Sequence, residues 1–310
     1  NYWHFFEPFD FGDYDYKGYG QEQVRVLDRK GYVGEYAFSS ALNFGNTFYL
    51  GATMGIHAVR YFEDIYHTET DVNDLEPEIY SFSFHESNST RGYGFAFKLG
   101  FIYKPIHNVR IGGSFHAPVS YHLTDDKSSG IEAFWDVNSG NIDSDESSGL
   151  YSKEYTVSTP YRASLGTSVL IGKLGLISAE YEYADYSSAD MDSPGYPFIK
   201  ENMAISQDFR ATHNVRAGME LRFNPVYVRG GVQYYMNPFS DSRNGSDIMV
   251  YSGGIGVRSG QTFVDFAFSL KTRSELYGLY RYDWNFEDSF EKAVLSYSNA
   301  QLVVTLGYKL

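Results

Sequence analysis

The chain has 310 residues, with 39 acidic against 25 basic side chains for a net charge of −14, 43% hydrophobic residues, 30 glycines and no cysteine. This balance excludes a disordered chain and a basic nucleic-acid-binding surface. The missing cysteine excludes disulfides, thiolate metal sites and a cysteine nucleophile, and the absence of any run of about 18 apolar residues excludes an α-helical membrane span.

The 29 Tyr, 24 Phe and 3 Trp exceed what a soluble core of this size uses. With so many glycines, they suggest β structure with either two wetted faces or one wetted and one lipid-facing.

Residues 1–30 are read as a loop segment. Eleven strands follow, at about 31–43, 46–66, 78–103, 109–124, 151–171, 174–187, 210–223, 226–237, 248–258, 262–282 and 293–310. Their common feature is a period of two. Phe95, Phe97, Leu99, Phe101 and Tyr103 alternate with Lys98 and Gly100, and Val109, Ile111, Gly113 and Phe115 with Arg110, Gly112, Ser114 and His116. Val215, Ala217, Met219, Leu221 and Phe223 alternate with Asn214, Arg216, Gly218, Glu220 and Arg222. Successive strand side chains point to opposite faces, so one face is apolar and the other ionic. Several of these runs exceed the usual soluble strand. The stretch 188–209, holding Pro194 and Pro197, has room for a short helix.

The connections alternate in length. Those at 43–46, 104–108, 172–173, 224–225 and 259–261 are tight, and those at 67–77, 125–150, 188–209, 238–247 and 283–292 are long and polar. An outer-membrane barrel sorts its loops in this way, with short periplasmic turns and long extracellular loops, and a closed barrel satisfies every backbone group where water is missing. The expected fold is therefore an all-β, antiparallel transmembrane β-barrel over 31–310. Its apolar face meets lipid and its ionic face lines the lumen. Phe48, Phe95, Phe97, Phe266 and Phe268 belong to the apolar band. Tyr103, Tyr183, Tyr186, Tyr234, Tyr308 and Phe223 belong to girdles at the two boundaries. The last strand follows a long loop and runs toward the periplasm, which makes 1–30 extracellular. Bacterial single-chain barrels have an even number of strands, so a count of eleven points to strands missing upstream.

The lumen register collects Lys98, Arg110, His116, Arg162, Glu180, Glu182, Arg216, Glu220, Arg222, Arg229 and Asp265. The favoured reading is a salt-bridged network that braces the barrel, since neighbouring Arg and Glu are placed to pair. The functional reading is that one or two arginines hold a substrate carboxylate. Inward Tyr49, Tyr227, Tyr235 and Phe263 are candidates for contact with an acyl chain, although packing is the commoner role for such rings.

Enzyme signatures fail their context tests. Glu180 and Glu182 share a face, as acid–base pairs do, but within a charge-rich strand. No G-x-S-x-G elbow exists, and the Gly-x-Gly pairs do not join a strand to a helix. His57 and His116 are read as ordinary lumen histidines in preference to haem or metal ligands. No catalytic residue, cofactor or metal is expected. The acidic runs 63–78 and 136–146 are read as a solvated surface bridged by divalent ions to lipopolysaccharide, without the calcium-loop spacing.

Several segments, in order, resemble the outer-membrane long-chain fatty-acid and hydrocarbon transporters, the FadL/TodX family, in their Bacteroidetes branch. They are Gly31–Glu35 (GYVGE), Tyr49–Ile56 (YLGATMGI), Gly100–Pro105 (GFIYKP), Val109–Gly112 (VRIG), His116–Pro118 (HAP), Thr159–Arg162 (TPYR), Gly175–Tyr186 (GLISAEYEYADY), Asn214–Glu220 (NVRAGME) and Val228–Gly231 (VRGG). The resemblance implies a monomeric fourteen-stranded barrel closed by an N-terminal hatch. A hydrophobic substrate is captured outside, passed to an interior site and released sideways through a kinked strand. Nothing before residue 31 resembles the hatch, and the chain ends in Leu310 where such barrels commonly end in an aromatic. Arg110 and Arg216 lie in the family-like segments and are the arginines singled out for ligand binding.

The function implied is passive uptake of long-chain fatty acids or hydrocarbons, without enzymatic chemistry. Its partners are membrane lipid, lipopolysaccharide and a hydrophobic small molecule. The alternative is a barrel serving as a structural or secretion partner of another outer-membrane or secreted protein. A barrel enzyme or haem-uptake protein ranks third.

Overall fold

A computed structural model describes residues 21–72, 79–135, 144–241, 246–277 and 293–308. In chain order the strands are β1 (Gln21–Phe44), β2 (Phe48–Asp71), β3 (Ile79–Ile106), β4 (Val109–His116), β5 (Ser120–Trp135), β6 (Ser144–Ser147), β7 (Tyr151–Ser158), β8 (Arg162–Ile171), β9 (Gly175–Asp185) and β10 (Asp190–Asp192). One helix, α1 (Ile199–Asp208), precedes β11 (Ala211–Phe223), β12 (Val226–Tyr235), β13 (Ile248–Ser259), β14 (Thr262–Tyr277) and β15 (Ala293–Tyr308). Among the described residues, no helix is long and apolar enough to cross a membrane.

All fifteen strands belong to one sheet, entered through β1, β2 and β3. From β3 one path runs through β4, β8, β9, β11, β12, β13 and β14 to β15, and another through β5 and β7 to β10, with β6 beside β5. Registers along the longer path are antiparallel throughout. No pairing joins β1 to β15 among the described residues, and both are exposed on their two faces almost throughout.

Eleven runs expected from the sequence account for thirteen of these strands, because two runs are each broken in the middle. The run 109–124 divides into β4 and β5 at Pro118, and 151–171 into β7 and β8 at Pro160. Proline has no N–H to give to a ladder. The chain stays paired on either side of the breaks: Ala117 N donates to Phe97 O (2.9 Å), Thr159 N to Val119 O (3.0 Å) and Val119 N to Thr159 Oγ1 (2.9 Å).

The expected start at residue 31 is corrected, since β1 begins at Gln21 inside the segment read as a loop. The cause is a ladder with charged residues in both registers, which breaks the apolar period after Val24 and Val26. Arg29 ion-pairs with Glu63, Gln23 Nε2 donates to Glu69 Oε1 at 3.3 Å, and Gly31 lies against the backbone of Arg60 and Tyr61. The far part of β5 was missed for the same reason, with Arg91–Asp126 and Lys127–Glu86 ion pairs both at 2.9 Å. The short helix in 188–209 is α1, tied to β10 by Asn202, whose side chain accepts from Met191 N (2.9 Å) and donates to Met191 O (2.8 Å). Residues 1–20, most of the acidic runs beyond Val72 and at 136–146, and the connection 278–292 lie outside the described residues.

The chain forms two compact units, one of Asn1–Val33, Val59–Gly92 and Thr124–Glu154, the other of Gly34–Ala58, Tyr93–Leu123 and Tyr155–Leu310. The first holds the polar ladders just described. The second holds all five tight turns. The first of these turns has Gly45 and Asn46 at φ of 59° and 56°, with Thr47 N donating to Phe44 O at 3.1 Å, the left-handed two-residue hairpin that matches strand twist.

Buried hydrophobic residues among those described are Ala96, Ala133, Ala184 and Phe198, a single large side chain among four. The apolar positions of the strands are instead open: Leu306 is 76% exposed, Leu302 70%, Phe266 48% and Met219 46%. The chain has an apolar face in place of an apolar core.

Candidate ligand site on the ionic face

The site lies wholly within the second unit, on the face opposite the open apolar positions. Strand register builds it in cross-strand tiers. In one tier Glu180 on β9 stands opposite Arg216 on β11, which stands opposite Gln233 on β12. Arg216 ion-pairs with Glu180, its Nη2 donates to Glu182 Oε2 at 3.0 Å, and its Nε donates to the Tyr235 hydroxyl at 3.3 Å. Asn214 Nδ2 donates to the other Glu182 oxygen at 2.9 Å. This guanidinium is held on several sides.

Closer to the tight turns, Glu220 on β11 stands opposite Arg229 on β12. Its two oxygens accept from Arg229 Nε (2.8 Å) and Arg222 Nε (2.7 Å), and Arg229 Nη1 donates to Asp265 Oδ1 at 2.8 Å. Asp265 stands opposite Gly256, where an added Cβ would overlap its carboxylate. Glycine is required there for close approach, not for backbone freedom.

Between these tiers lies a row of small residues: Ser168 on β8, Ser178 on β9, Gly218 on β11, Gly231 on β12 and Ser252 on β13, with Arg110 on β4 at its end. Ser178 Oγ donates to Gly218 O (3.4 Å) and Ser252 Oγ to Gly231 O (3.3 Å), so hydroxyl protons are turned back onto the sheet. Small side chains between larger ones leave a hollow of about 770 Å³, lined among others by Arg110, Ser168, Ser178, Gly218, Arg216 and Arg229.

The sequence-selected residues thus fall into distinct settings. Glu180, Glu182 and Arg216 are brought together, as are Glu220, Arg222, Arg229 and Asp265. Lys98 joins neither group: its Nζ donates to both oxygens of Glu35, at 2.6 and 2.8 Å. His57 stands beside that carboxylate, with Nε2 3.6 Å from Glu35 Oε1 and Nδ1 2.6 Å from the Tyr121 hydroxyl. His116 faces Lys98 on one side and Arg162 on the other. Among the described residues no group of three or more His, Asp or Glu is placed to hold a metal ion.

Of the guanidiniums that line the hollow, Arg110 is the one without an ion pair among the described residues; its backbone carbonyl accepts from Thr167 Oγ1 at 3.2 Å. The four rings singled out from the sequence each meet a cation. Lys104 Nζ donates to the Tyr49 hydroxyl at 2.9 Å, Tyr235 meets Arg216, and Arg258 lies over Tyr227 at 4.3 Å and Phe263 at 5.7 Å. Such contacts hold a cation against a ring face.

Sequence reasoning missed Glu35, Tyr121, Lys104 and Arg258 as members of these clusters. The parity that selected Asp265 and Phe263 also selects Arg258, opposite Phe263 in register. Glu35 carried a fainter signal in Gly55, over which its carboxylate lies.

No family model matches the chain, and no curated protein matches it. Solved structures do. The toluene transporter TbuX of Ralstonia pickettii aligns over 94% of this chain and 70% of its own, at 16% identity and a TM-score of 0.51. A FadL homologue of Pseudomonas aeruginosa aligns over 88% and 78% at 11% identity (TM-score 0.48), and the toluene transporter TodX of Pseudomonas putida over 94% and 89% at 8% identity (TM-score 0.44). At this identity the likeness to TbuX establishes the fold: the chain has the antiparallel β-barrel fold of that transporter.

Proposed function

We propose that the chain is an outer-membrane transport protein of the FadL/TodX type, through which hydrophobic small molecules cross by passive diffusion. The observation that carries this reading is the open apolar face, with Phe266, Phe268, Val228, Ile255 and Leu302 exposed at alternate strand positions and almost nothing large and apolar buried. Such a surface is stable against hydrocarbon and not against water. A closed β-barrel is also the only structure besides a helix that satisfies its backbone in lipid. The TbuX fold and the sorting of connections by length support the same placement, with the tight turns periplasmic and the long connections extracellular.

Transport of this kind needs no covalent chemistry. Moving an apolar molecule from water into protein gains about 0.8 kcal/mol per CH₂ buried, and the hollow on the ionic face is a stopping place along the path. The test is uptake of labelled toluene, dodecanol and dodecanoate by cells deleted for their own uptake proteins of this kind, with and without the chain. Faster entry of at least one compound is expected. Equal rates for all three would overturn the reading.

A further inference from the structure

We infer that the row of tight turns is a docking edge for a polymer with regularly repeated carboxylates, such as the peptidoglycan of a bacterial wall. The inference takes from the reading above only that the tight turns are periplasmic.

Backbone bonds set the turns side by side. Lys104 N donates to Thr47 O, Leu170 N to Asn108 O and Arg222 N to Leu174 O, each at 2.8 Å, and Arg258 N donates to Pro225 O at 2.9 Å. Each bond ties one hairpin end to the next. Four consecutive hairpins carry one cation each at or beside the turn: Lys104, Lys173, Arg222 and Arg258. Hairpin ends recur at every second strand, which spaces these charges by about 10 Å. The stretches 42–49, 102–110, 169–177, 221–228 and 256–264 hold no Asp or Glu, although the chain has 39 acidic residues. The carboxylates just beyond them, Glu220 and Asp265, are taken up by Arg222 and Arg229. This edge of an acidic protein is therefore positive, and it attracts anions.

Register decides what the row faces. The outward positions at this end include Tyr103, Ile171, Phe223, Val257 and Tyr308, all exposed and none charged. Lipid phosphates beside the wall would meet rings and aliphatic groups there. Arg222 and Arg258 stand instead in the ionic register, opposite Tyr227 and Phe263, and Lys173 sits exposed at a turn tip. The cations are thus placed for a partner beyond the turns. A protein interface concentrates its energy on a few central anchors, whereas these charges are strung singly, one to a hairpin. Repeated carboxylates on a linear polymer match that arrangement. Each such contact is weak at a wet edge, and several on one polymer reinforce one another.

The test uses the full chain in nanodiscs of phosphatidylcholine, which leave the turns open, and purified peptidoglycan sacculi that pellet on centrifugation. Intact sacculi are expected to carry the chain down at about 50 mM salt and to release it at about 500 mM. Sacculi whose carboxyl groups have been converted to amides should retain little of it. Lys104→Gln combined with Lys173→Gln should weaken retention by about tenfold, about threefold for each exposed pair. Lys173→Glu should weaken it more than Lys173→Gln. Because Lys173 lies exposed at a turn tip, its single variants keep the test open should the combined variant fold poorly. Equal retention by intact and amidated sacculi, or wild-type retention of the Lys173→Glu chain, overturns the inference. So does binding of soluble polyglutamate without retention by sacculi, which would assign the edge to an acidic protein. Each of these outcomes leaves transport standing, because uptake is measured with other probes.

Discussion

The two faces of β11 share one backbone and the same hydrogen-bonded neighbours, yet they are stabilised in opposite ways. On one face Asn214, Arg216, Glu220 and Arg222 are knitted into ion pairs and hydrogen bonds with β9, with β12 and with one another. On the other, Val215, Met219 and Phe223 are 46%, 46% and 60% exposed. On this strand the charges have partners within the protein and the apolar groups stand open, so the surroundings must cover those. This inverts a soluble domain, in which apolar groups are covered and charges are left to water. Within the ionic face a smaller contrast repeats the lesson, because Arg216 and Arg229 each pair with two carboxylates and Arg110 pairs with none among the described residues.

The comparison can be broken most forcefully from the apolar side. Phe266→Arg places a guanidinium where lipid is expected and should cost about 2–4 kcal/mol if that part of β14 lies near mid-membrane, measured by denaturant unfolding in bilayers. No change there would mean that the face is not against lipid. On the ionic face, Glu220→Ala removes the shared partner of Arg222 and Arg229 and should cost about 1–3 kcal/mol. A cycle with Arg229→Ala should return a coupling of about 0.5–3 kcal/mol.

Gly256→Val should cost about 1–3 kcal/mol by overpacking, since the new side chain displaces Asp265 from Arg229. Its cost should shrink when Asp265→Ala is already present. The smallest effect belongs to Arg110→Gln, which should change stability by less than about 0.5 kcal/mol because no partner is lost. A large cost there would turn Arg110 into another brace.

Legibility followed apolar periodicity. β11, β12, β13 and β15 were plain because their outward positions are almost uniformly apolar, and one slip of register would reverse both faces. The start of β1 and the far end of β5 were not, because charged and polar residues interrupt both registers and the ladder is held by pairs such as Arg29–Glu63 and Lys127–Glu86. The breaks at Pro118 and Pro160 were written in the sequence, but nothing local distinguishes a proline that ends a strand from one that interrupts a pair of strands still held together.

The sites divide along the same line. Parity alone placed Glu180, Arg216, Glu220, Arg229 and Asp265 on one face, since successive strand residues alternate sides whatever their partners. Which of them meet depends on how far each strand is shifted against the next, and that shift is settled by pairing across the sheet. Register put Arg216 opposite Glu180 and Arg229 opposite Glu220, while it put Arg110 opposite Ser168. Residue types chose the faces, and long-range pairing chose which arginine has no carboxylate partner among the described residues.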